Sequence, residues 1–584
     1  MKAKAFDTKL FSKILRYTKP YKKRFYGVIV FAILLAIFAA VRPLLLADVV
    51  DEYIKPKKHL GLVQYIVIMG MTLLFEVLSQ FYFVYWANWL GQDIIKDIRI
   101  KLFQHMLNFR MKYFDNAPVG QLVTRSVSDI EQIAKIFSQG LFMIISDLMK
   151  MAACLIIMFY MNWKLSLIVV AAMPILIYIT RVFQKKMQVA FEEVRSQVAN
   201  LNTFVQERLT GMKIVQLFNR EQIEHQKFID INEKHNKAWL KTILYNSIFF
   251  PIADIISSIT LGLVIFNGGI QIINGSDFTT QGQMTAYIMF IGFLFSPLRQ
   301  IADKFNEMQM GMISANRVFD ILETQEEVQR NGSVPAHHFK GEIQFKDVRF
   351  SYIKGEEVLK GINLNVKSGQ TIAIVGSTGA GKSTIINLLN RFYEIDSGEI
   401  YIDNQNINKF ELQSLRQQIA VVLQDVFLFA DTIFHNITLH NPTITREDVI
   451  NAAQKIGVHD FIMSLPDGYD YDVKERGVML SSGQRQLIAF LRAYVCNPSI
   501  LILDEATSSI DTYSEELIQN ATETITKGRT SIVIAHRLAT IVNADKIIVM
   551  DKGQIVEQGN HTQLLAKSEG YYKNLYESQF SVEI

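Results

Sequence analysis

Cysteine is nearly absent: two residues in 584, Cys154 inside an apolar run and Cys496 in the distal third. A disulfide framework and a zinc cluster are thereby excluded, and a reducing compartment is compatible with the chain. Charge is scarce as well. Charged residues make up 20% of the chain and the net charge is only +4, too mild to argue for or against nucleic acid. A mean hydropathy of +0.16 with so few charges is too apolar for an ordinary soluble enzyme. At 584 residues more than one domain is expected. The apolar residues are unevenly spread, with long runs crowding the first three hundred positions.

Those runs resolve into six candidate membrane spans, at about 25–47, 62–90, 140–162, 165–181, 243–273 and 284–299. Ahead of them, residues 1–24 carry nine Lys and Arg, Lys2 to Arg24, against Asp7 alone. Leu10, Phe11, Ile14, Leu15 and Tyr17 fall near helical spacing, which suits an amphipathic helix on an anionic membrane surface. The first apolar run is too long for a cleavable signal peptide, and more spans follow it. An even number of spans puts both chain ends on one side. The stretch 181–241 is crowded with basic residues (Lys185, Lys186, Arg195, Arg208 and Arg220 among them), whereas Lys164 is the only one in the turn at 163–164 and the loop at 274–283. Positive-inside bias then places the N-terminus, 91–139, 182–242 and everything beyond 300 in the cytoplasm, outvoting Lys55, Lys57 and Lys58 in the first outer loop. With no organellar transit segment in view, a bacterial inner membrane is the expected location. The two inner connections are too long for loops, and Val194, Val198, Leu201, Val205 and Leu209 recur at threes and fours. The spans therefore continue as helices beyond the lipid. They turn back near Tyr113–Gly120 and near Gly211–Gln216, where they would dock on a partner domain.

Glu76, Asp147, Lys150 and Asp254 fall within the spans, in the inner half of the bilayer. Such residues are costly in lipid. Asp147 and Lys150 are three apart on one helix face, close enough to neutralise each other. The alternative is a cavity that receives an amphipathic substrate with a charged head.

After a helical segment, Ile301 to Leu322, the composition shifts. A turn-rich linker at 323–340 contains Asn331-Gly332-Ser333-Val334-Pro335. His337-His338 has no third ligand nearby and reads as a solvated pair. From 341 onward strands alternate with helical patterns, an α/β domain reaching about 578, with 579–584 as a tail. Within it, Thr371-Ile372-Ala373-Ile374-Val375 reads as a buried strand and Ile385–Leu389 as a helix start. Between them lie Gly376-Ser377-Thr378-Gly379-Ala380-Gly381-Lys382-Ser383-Thr384. Strand, glycine-rich turn and helix is the setting of a phosphate-binding loop. The glycines let backbone N–H groups turn towards phosphate oxygens. Lys382 can reach the β- and γ-phosphates and Ser383 can hold Mg²⁺. The reading is a nucleoside triphosphate site. A second station follows at Ile500-Leu501-Ile502-Leu503-Asp504-Glu505, a buried strand delivering two acids at its C-terminal end. Asp504 is suited to Mg²⁺, and Glu505 to polarising an attacking water. Between the stations, Leu480-Ser481-Ser482-Gly483-Gln484-Arg485-Gln486 opens a helical run and is a second anion-binding helix start.

These two stations, with Gln424 in Val421–Asp425, the Leu480–Gln486 signature, Ser508–Asp511, and His536 in Ile534–Arg537, resemble the ATP-binding cassette in order and spacing. With six spans fused ahead, residues 8–578 resemble an ATP-binding cassette half-transporter of the exporter type, the lipid and multidrug group. The resemblance implies an all-α six-helix membrane domain (25–322) with long cytoplasmic helical extensions, followed by an α/β P-loop NTPase domain (341–578). It implies ATP and Mg²⁺ as cofactors. Tyr352 would stack on adenine. Residues 376–384 would bind the phosphates, with Ser383, Gln424 and Asp504 on the metal, Glu505 as general base, and His536 and Gln424 completing the catalytic set. Ser481, Ser482, Gly483 and Gln484 would meet the nucleotide of a second subunit, and Glu475-Arg476-Gly477 would touch the coupling turns. Ser482 departs from the family, which usually has a second glycine there, and that puts in doubt whether both composite sites are equally active. A homodimer is favoured over a heterodimer with a different half-transporter. The other expected partners are the lipid bilayer and an amphipathic drug-like or lipid substrate, with no nucleic acid. The expected activity is ATP-driven export. An ATP-gated channel or regulatory subunit is the alternative, disfavoured because gating by binding alone needs no working base.

Overall fold

The computed structural model describes residues 8–56, 61–274, 279–326, 328, 332–504, 512–535 and 538–580. It divides into two compact units, Met1–Asn108 with Ala117–Gln325, and Phe109–Asn116 with Glu326–Ile584. Lys57 and Lys58 of the first outer loop lie outside the described residues.

The first unit is helical. Among the described residues six helices are long and apolar enough to cross a membrane: Lys19–Ile54, Leu62–Leu107, Val119–Met161, Trp163–Thr210, Glu221–Ile273 and Gln281–Leu322. The fourth has 48 residues. At a rise of 1.5 Å per residue it is about 70 Å long, against a hydrocarbon thickness of about 30 Å. The surplus is polar and charged, as the sequence pattern requires of helix continuing into water. Pro43, Pro174, Pro251 and Pro297 sit inside four of these helices. Each removes one backbone donor, a loss membrane helices tolerate because neighbours re-satisfy the freed carbonyl. The second helix is the most outward-facing, with only 6% of its most apolar window buried. Its exposed residues include Ile66, Leu74 and Phe81, the composition of a lipid-facing surface.

The third to sixth helices share a core of Cys154, Met158, Val169, Val264, Tyr287, Phe290 and Phe295. At its Asn162 end it is closed by hydrogen-bonded polar groups. Asn162 caps the fourth helix: its side-chain oxygen accepts from the Lys164 and Leu165 amides at 3.0 and 3.2 Å. Its amide nitrogen donates to the Thr279 hydroxyl at 2.8 Å and to Gln271 at 3.1 Å. The buried Tyr287 hydroxyl reaches the carbonyls of Met158 and Asn162, both at 2.7 Å.

The intramembrane acids pair across helices. Asp147 takes Lys304 of the sixth helix, not Lys150 three residues along its own helix. Glu76 takes Arg42 at 3.2 Å, and Asp254 takes Arg299. The sequence spacing identifies neighbours on one helix; only packing reveals the cation on the next. The basic entry helix Thr8–Arg16 also finds protein: Ile14 is fully buried, the Tyr17 ring lies 6.0 Å from Phe319, and Lys13 pairs with Glu323. Part of the face expected against lipid thus packs on the end of the sixth helix. At the second inner turn a short helix, Met212–Leu217, leaves Ile214, Leu217 and Phe218 exposed.

The second unit is α/β. Among the described residues ten strands form two sheets: β1 Ile343–Ser351, β2 Glu357–Val366, β3 Thr371–Gly376, β4 Ser397–Ile402, β5 Gln405–Asn406, β6 Ile419–Val422, β7 Ile500–Asp504, β8 Thr530–Ile534, β9 Lys546–Asp551 and β10 Gln554–Gly559. The order β2-β1-β4-β5 is antiparallel. The order β10-β9-β3-β8-β7-β6 is parallel except for the β10 edge. β3, β7, β8 and β9 are apolar and buried through their centres, as strands covered on both faces must be. The 323–340 linker is pinned in part: the Asp403 carboxylate accepts from the amides of Lys340, Gly341 and Glu342 at 2.7–3.0 Å. His338 lies 3.3 Å from the Ser499 hydroxyl, an ordinary polar contact. The segment Phe109–Asn116, although it lies between two membrane helices in sequence, belongs to this unit. The Arg110 amide donates to the Glu326 carbonyl at 2.8 Å and its guanidinium lies 3.5 Å from Glu394.

Asn162→Ala removes a helix cap and should lower the stability of the detergent-solubilised chain by about 1–2 kcal/mol, read as a fall in Tm by thermal denaturation. For the Asp147–Lys304 pair, Asp147→Asn or Lys304→Met alone should cost about 3 kcal/mol, while the double variant costs less than either single one, because no unpaired charge remains. Equal losses in singles and double would remove the pair from its structural role.

Candidate functional site

The phosphate loop is built at the C-terminal end of β3, in the middle of the parallel sheet. Gly376 ends the strand with φ +152, and a Cβ there would lie 2.1 Å from the Met550 carbonyl oxygen of β9. Gly381 precedes the helix Lys382–Leu389 with φ +97. A side chain at either place is prevented by geometry, which is why the loop is glycine at these points. Between them Ser377 accepts from the Ala380 amide at 3.1 Å, closing the turn over Thr378 and Gly379.

Lys382 is buried beneath this loop. Its ammonium donates to the carbonyls of Gly376 at 2.6 Å and Ser377 at 3.1 Å, and so spans the loop from inside. Burial pushes its pKa below the usual lysine value, and the nearby Asp504 partly restores it. A positive charge held dry at a helix N-terminus is a strong anion site. The Ser383 hydroxyl, at the first turn of that helix, lies 3.5 Å from an Asp504 carboxylate oxygen at the end of β7. The two residues are 121 positions apart in sequence, and the β3-β8-β7 order brings them together. Two hard oxygen donors are what Mg²⁺ takes at metal–oxygen distances of about 2.0–2.1 Å, and these two would close from 3.5 Å to the roughly 2.9 Å of an octahedral edge to share one ion.

Tyr352 follows β1 and stands beside the same helix. Its hydroxyl donates to the buried Thr384 hydroxyl at 3.3 Å and accepts from Asn387 at 3.1 Å. Its ring packs edge-on to Phe350 and Tyr393, at 4.8 and 5.0 Å between centroids. Asn387 was not singled out from sequence; its position one helical turn beyond Ser383 and Thr384 is the signal that could have found it. A cavity of about 400 Å³ also touches Tyr352. Its other walls include Arg110, Lys112, Arg391 and Glu394, and none of the phosphate loop, so it is a neighbour of the nucleotide site and not the site itself.

The signature stretch is a separate helix start. Ser481 caps Ser482–Val495 through a reciprocal box: the Gln484 amide donates to the Ser481 hydroxyl at 3.2 Å, and the Ser481 amide to the Gln484 side chain at 2.9 Å. Ser481 and Ser482 are exposed, while Gly483 is buried. Ser482 is the first helical residue and is not among the positive-φ positions, so glycine's conformational freedom is not needed there. Within one chain this helix start is not joined to the phosphate loop by any hydrogen bond found among the described residues. Glu475–Gly477 forms a tight turn with Lys474, Arg476 and Gly477 all at positive φ. Leu428 packs on Gly477. Around that contact Leu423, Phe427, Phe429, Val478 and Met479 are exposed apolar residues. Gln424 is exposed on the same segment, just after β6. Glu505 and His536 lie outside the described residues.

Comparison with known proteins accords with this geometry. Residues 25–298 match the family model described as the ABC transporter transmembrane region, and residues 359–508 match the one described as ABC transporter. A Bacillus subtilis (strain 168) protein described as an uncharacterised ABC transporter ATP-binding protein is 35% identical over 584 residues, covering 100% of this chain and 96% of its own length. A putative multidrug export ATP-binding/permease protein of Staphylococcus aureus (strain NCTC 8325 / PS 47) is 36% identical, covering 98% of this chain and 100% of its own. An ATP-dependent lipid A-core flippase of Syntrophus aciditrophicus (strain SB) is 33% identical, covering 98% and 94%. The chain belongs to the ABC transporter family: an integral membrane protein with its ATP-binding cassette in the same polypeptide, and an ATPase coupled to transport.

Proposed function

We propose that this protein is an exporter that moves an amphipathic molecule, a drug-like compound or a lipid, out of the inner leaflet or across the bilayer as one half of a homodimer. The observation that carries the reading is the meeting of Ser383 and Asp504 beside the buried Lys382. It builds a cradle for a metal-bound triphosphate in a chain that also carries six membrane-spanning helices. The substrate class is supported by relatives named for multidrug export and lipid A-core flipping.

In this reading Tyr352 receives adenine on its exposed face, held by Asn387 and Thr384. The loop amides and Lys382 take the phosphates, Lys382 exchanging two backbone carbonyls for phosphate oxygens. Ser383 and Asp504, with Gln424 from the segment after β6, would hold Mg²⁺, whose charge would be supplied to the β- and γ-phosphates. Glu505 takes a proton from the attacking water, and His536 steadies the γ-phosphate. Ser481, Ser482, Gly483 and Gln484 present a helix N-terminus to the nucleotide of a second subunit, which is why the signature needs no link to its own loop. ATP does work because it binds the closed pair of cassettes better than the open one. In the cassette the exposed apolar residues around Gly477, and in the membrane unit the exposed residues of Met212–Leu217, are each suited to pass that closure on. Basic residues crowding 181–241 support a cassette on the cytoplasmic side, in this reading at a bacterial inner membrane.

A second reading, the competent half of a heterodimer, is favoured by Ser482 alone. The oligomer is tested by mass measurement of the purified protein by light scattering, with two copies of this chain expected. A lone monomer at full turnover would end the proposal.

Reconstituted in vesicles, the protein should accumulate a fluorescent amphipath or lipid analogue directionally with ATP; passive flux opened by a non-hydrolysable analogue would point to a channel instead. Glu505→Gln should cut turnover by about 10²–10⁴-fold while nucleotide binding persists, and near-normal hydrolysis would remove Glu505 from its role. Lys382→Ala removes charge-assisted hydrogen bonds of about 1.5–3 kcal/mol and should weaken ATP binding roughly 10–100-fold in a nucleotide-binding titration.

A further inference from the structure

Away from the nucleotide site, the segment after Phe429 gathers three side chains that the ATPase does not use. Asp431 precedes the short helix Ile433–Thr438, which Thr432 caps by accepting from the His435 amide at 3.1 Å. The helix turn carries His435 back over Asp431, with its Nδ1 2.8 Å from one carboxylate oxygen. The chain then turns through Leu439 and His440, both in the left-handed region at φ 49 and 57. That reversal brings His440 Nε2 to 3.0 Å from the other oxygen of Asp431. The two imidazoles are 4.3 Å apart. The three ligand atoms lie within 4.8 Å of one another.

The frame around them is fixed. The Asp431 carbonyl accepts from the Val473 amide at 3.1 Å. Asn436, buried, bonds the Phe429 amide and carbonyl at 2.8 and 3.0 Å. Arg492 holds the Asn436 carbonyl at 2.8 Å. The cations that could repel a metal are already neutralised: Arg446 makes two bonds to Asp470, at 3.0 and 2.7 Å, and Lys474 pairs with Asp472 at 2.6 Å. Asp431 itself is a carboxylate held below the usual range, first by its hydrogen bond to His435.

We propose that Asp431, His435 and His440 bind a divalent transition metal of the Zn²⁺ class. Two neutral imidazole nitrogens and one carboxylate are a donor set for Zn²⁺, Ni²⁺ or Cu²⁺ and a poor one for Mg²⁺, which prefers oxygen alone. Metal–ligand distances of about 2.0–2.2 Å place neighbouring ligand atoms roughly 3.3 Å apart in a tetrahedron. The His435 and His440 contacts, made to different oxygens of Asp431 at 2.8 and 3.0 Å, would open by a few tenths of an ångström, and ligand atoms now as far as 4.8 Å apart would close to the same spacing by side-chain rotation. Three protein ligands leave one position for water. The scarcity of cysteine excludes thiolate clusters, and it does not bear on a site made of histidine and aspartate. The ion would clip the start of the loop at Asp431 to its end at His440, directly after the exposed Phe427 and Phe429.

The test uses the full chain purified without a polyhistidine tag, stripped with chelator and kept free of nucleotide, which itself chelates metal. Equilibrium dialysis against Zn²⁺, with metal quantified by mass spectrometry, should find one more ion per chain in the wild type than in His435→Ala/His440→Ala. The affinity of that ion should fall at least about 100-fold in the variant, since loss of even an outer-shell partner costs about 10–100-fold. Excess Mg²⁺ should not displace it, and Ni²⁺ should. Should the double variant fail to fold, His440→Ala alone serves, because that side chain is two-thirds exposed. Equal zinc content and affinity in wild type and variant overturn the proposal, including the case in which the variant merely melts earlier.

Discussion

Backbone in hydrocarbon has no water to bond, so each N–H and C=O must find its partner within the protein. That one constraint shapes the membrane half of this chain. The spans are unbroken helices of 36 to 53 residues, and they leave the lipid still helical. A helix that continues into water carries position and rotation with it, so a change at one end is felt at the other. The outer turn at Asn162 shows how strictly the constraint is met. One side chain caps a helix, ties two further residues, and shares its carbonyl neighbourhood with Tyr287.

The same economy of polar groups governs the charges within the spans. Glu76, Asp147 and Asp254 each meet a cation from another helix. Such pairs add little net stability, because desolvation consumes most of the attraction, but removing one partner is severe. They therefore act as registers between helices. If alternating access slides one helix on another, these pairs are where the two states must differ. Sequence spacing favoured Asp147 with Lys150; the fold preferred Lys304 because it approaches from the facing helix.

In the cassette, the nucleotide site depends on strand order. β3 carries the phosphate loop and β7 carries Asp504, with β8 between them, and parallel strands bring both C-terminal ends to one edge. Lys382 beneath the loop and Ser383 at the helix start then face a carboxylate from a distant part of the chain. Among the described residues the signature helix start makes no hydrogen bond to this loop, which is what the proposed pairing with a second cassette requires.

Local spacing by itself determined the six spans, the phosphate loop, Asp504 at the end of β7 and the α/β character of the cassette. Each depends on periodicity or on a short run whose chemistry is self-contained, such as glycines where Met550 and Leu359 leave no room for a side chain. Tertiary structure alone decided which charges pair, that Asn387 steadies Tyr352, that the entry helix buries Ile14 on the sixth helix, and that Phe109–Asn116 joins the nucleotide-binding unit. It also decided that Asp431, His435 and His440 converge, because two left-handed residues reverse the chain where the sequence gives no glycine to announce it. Those contacts link residues through space between elements whose relative placement no local pattern encodes.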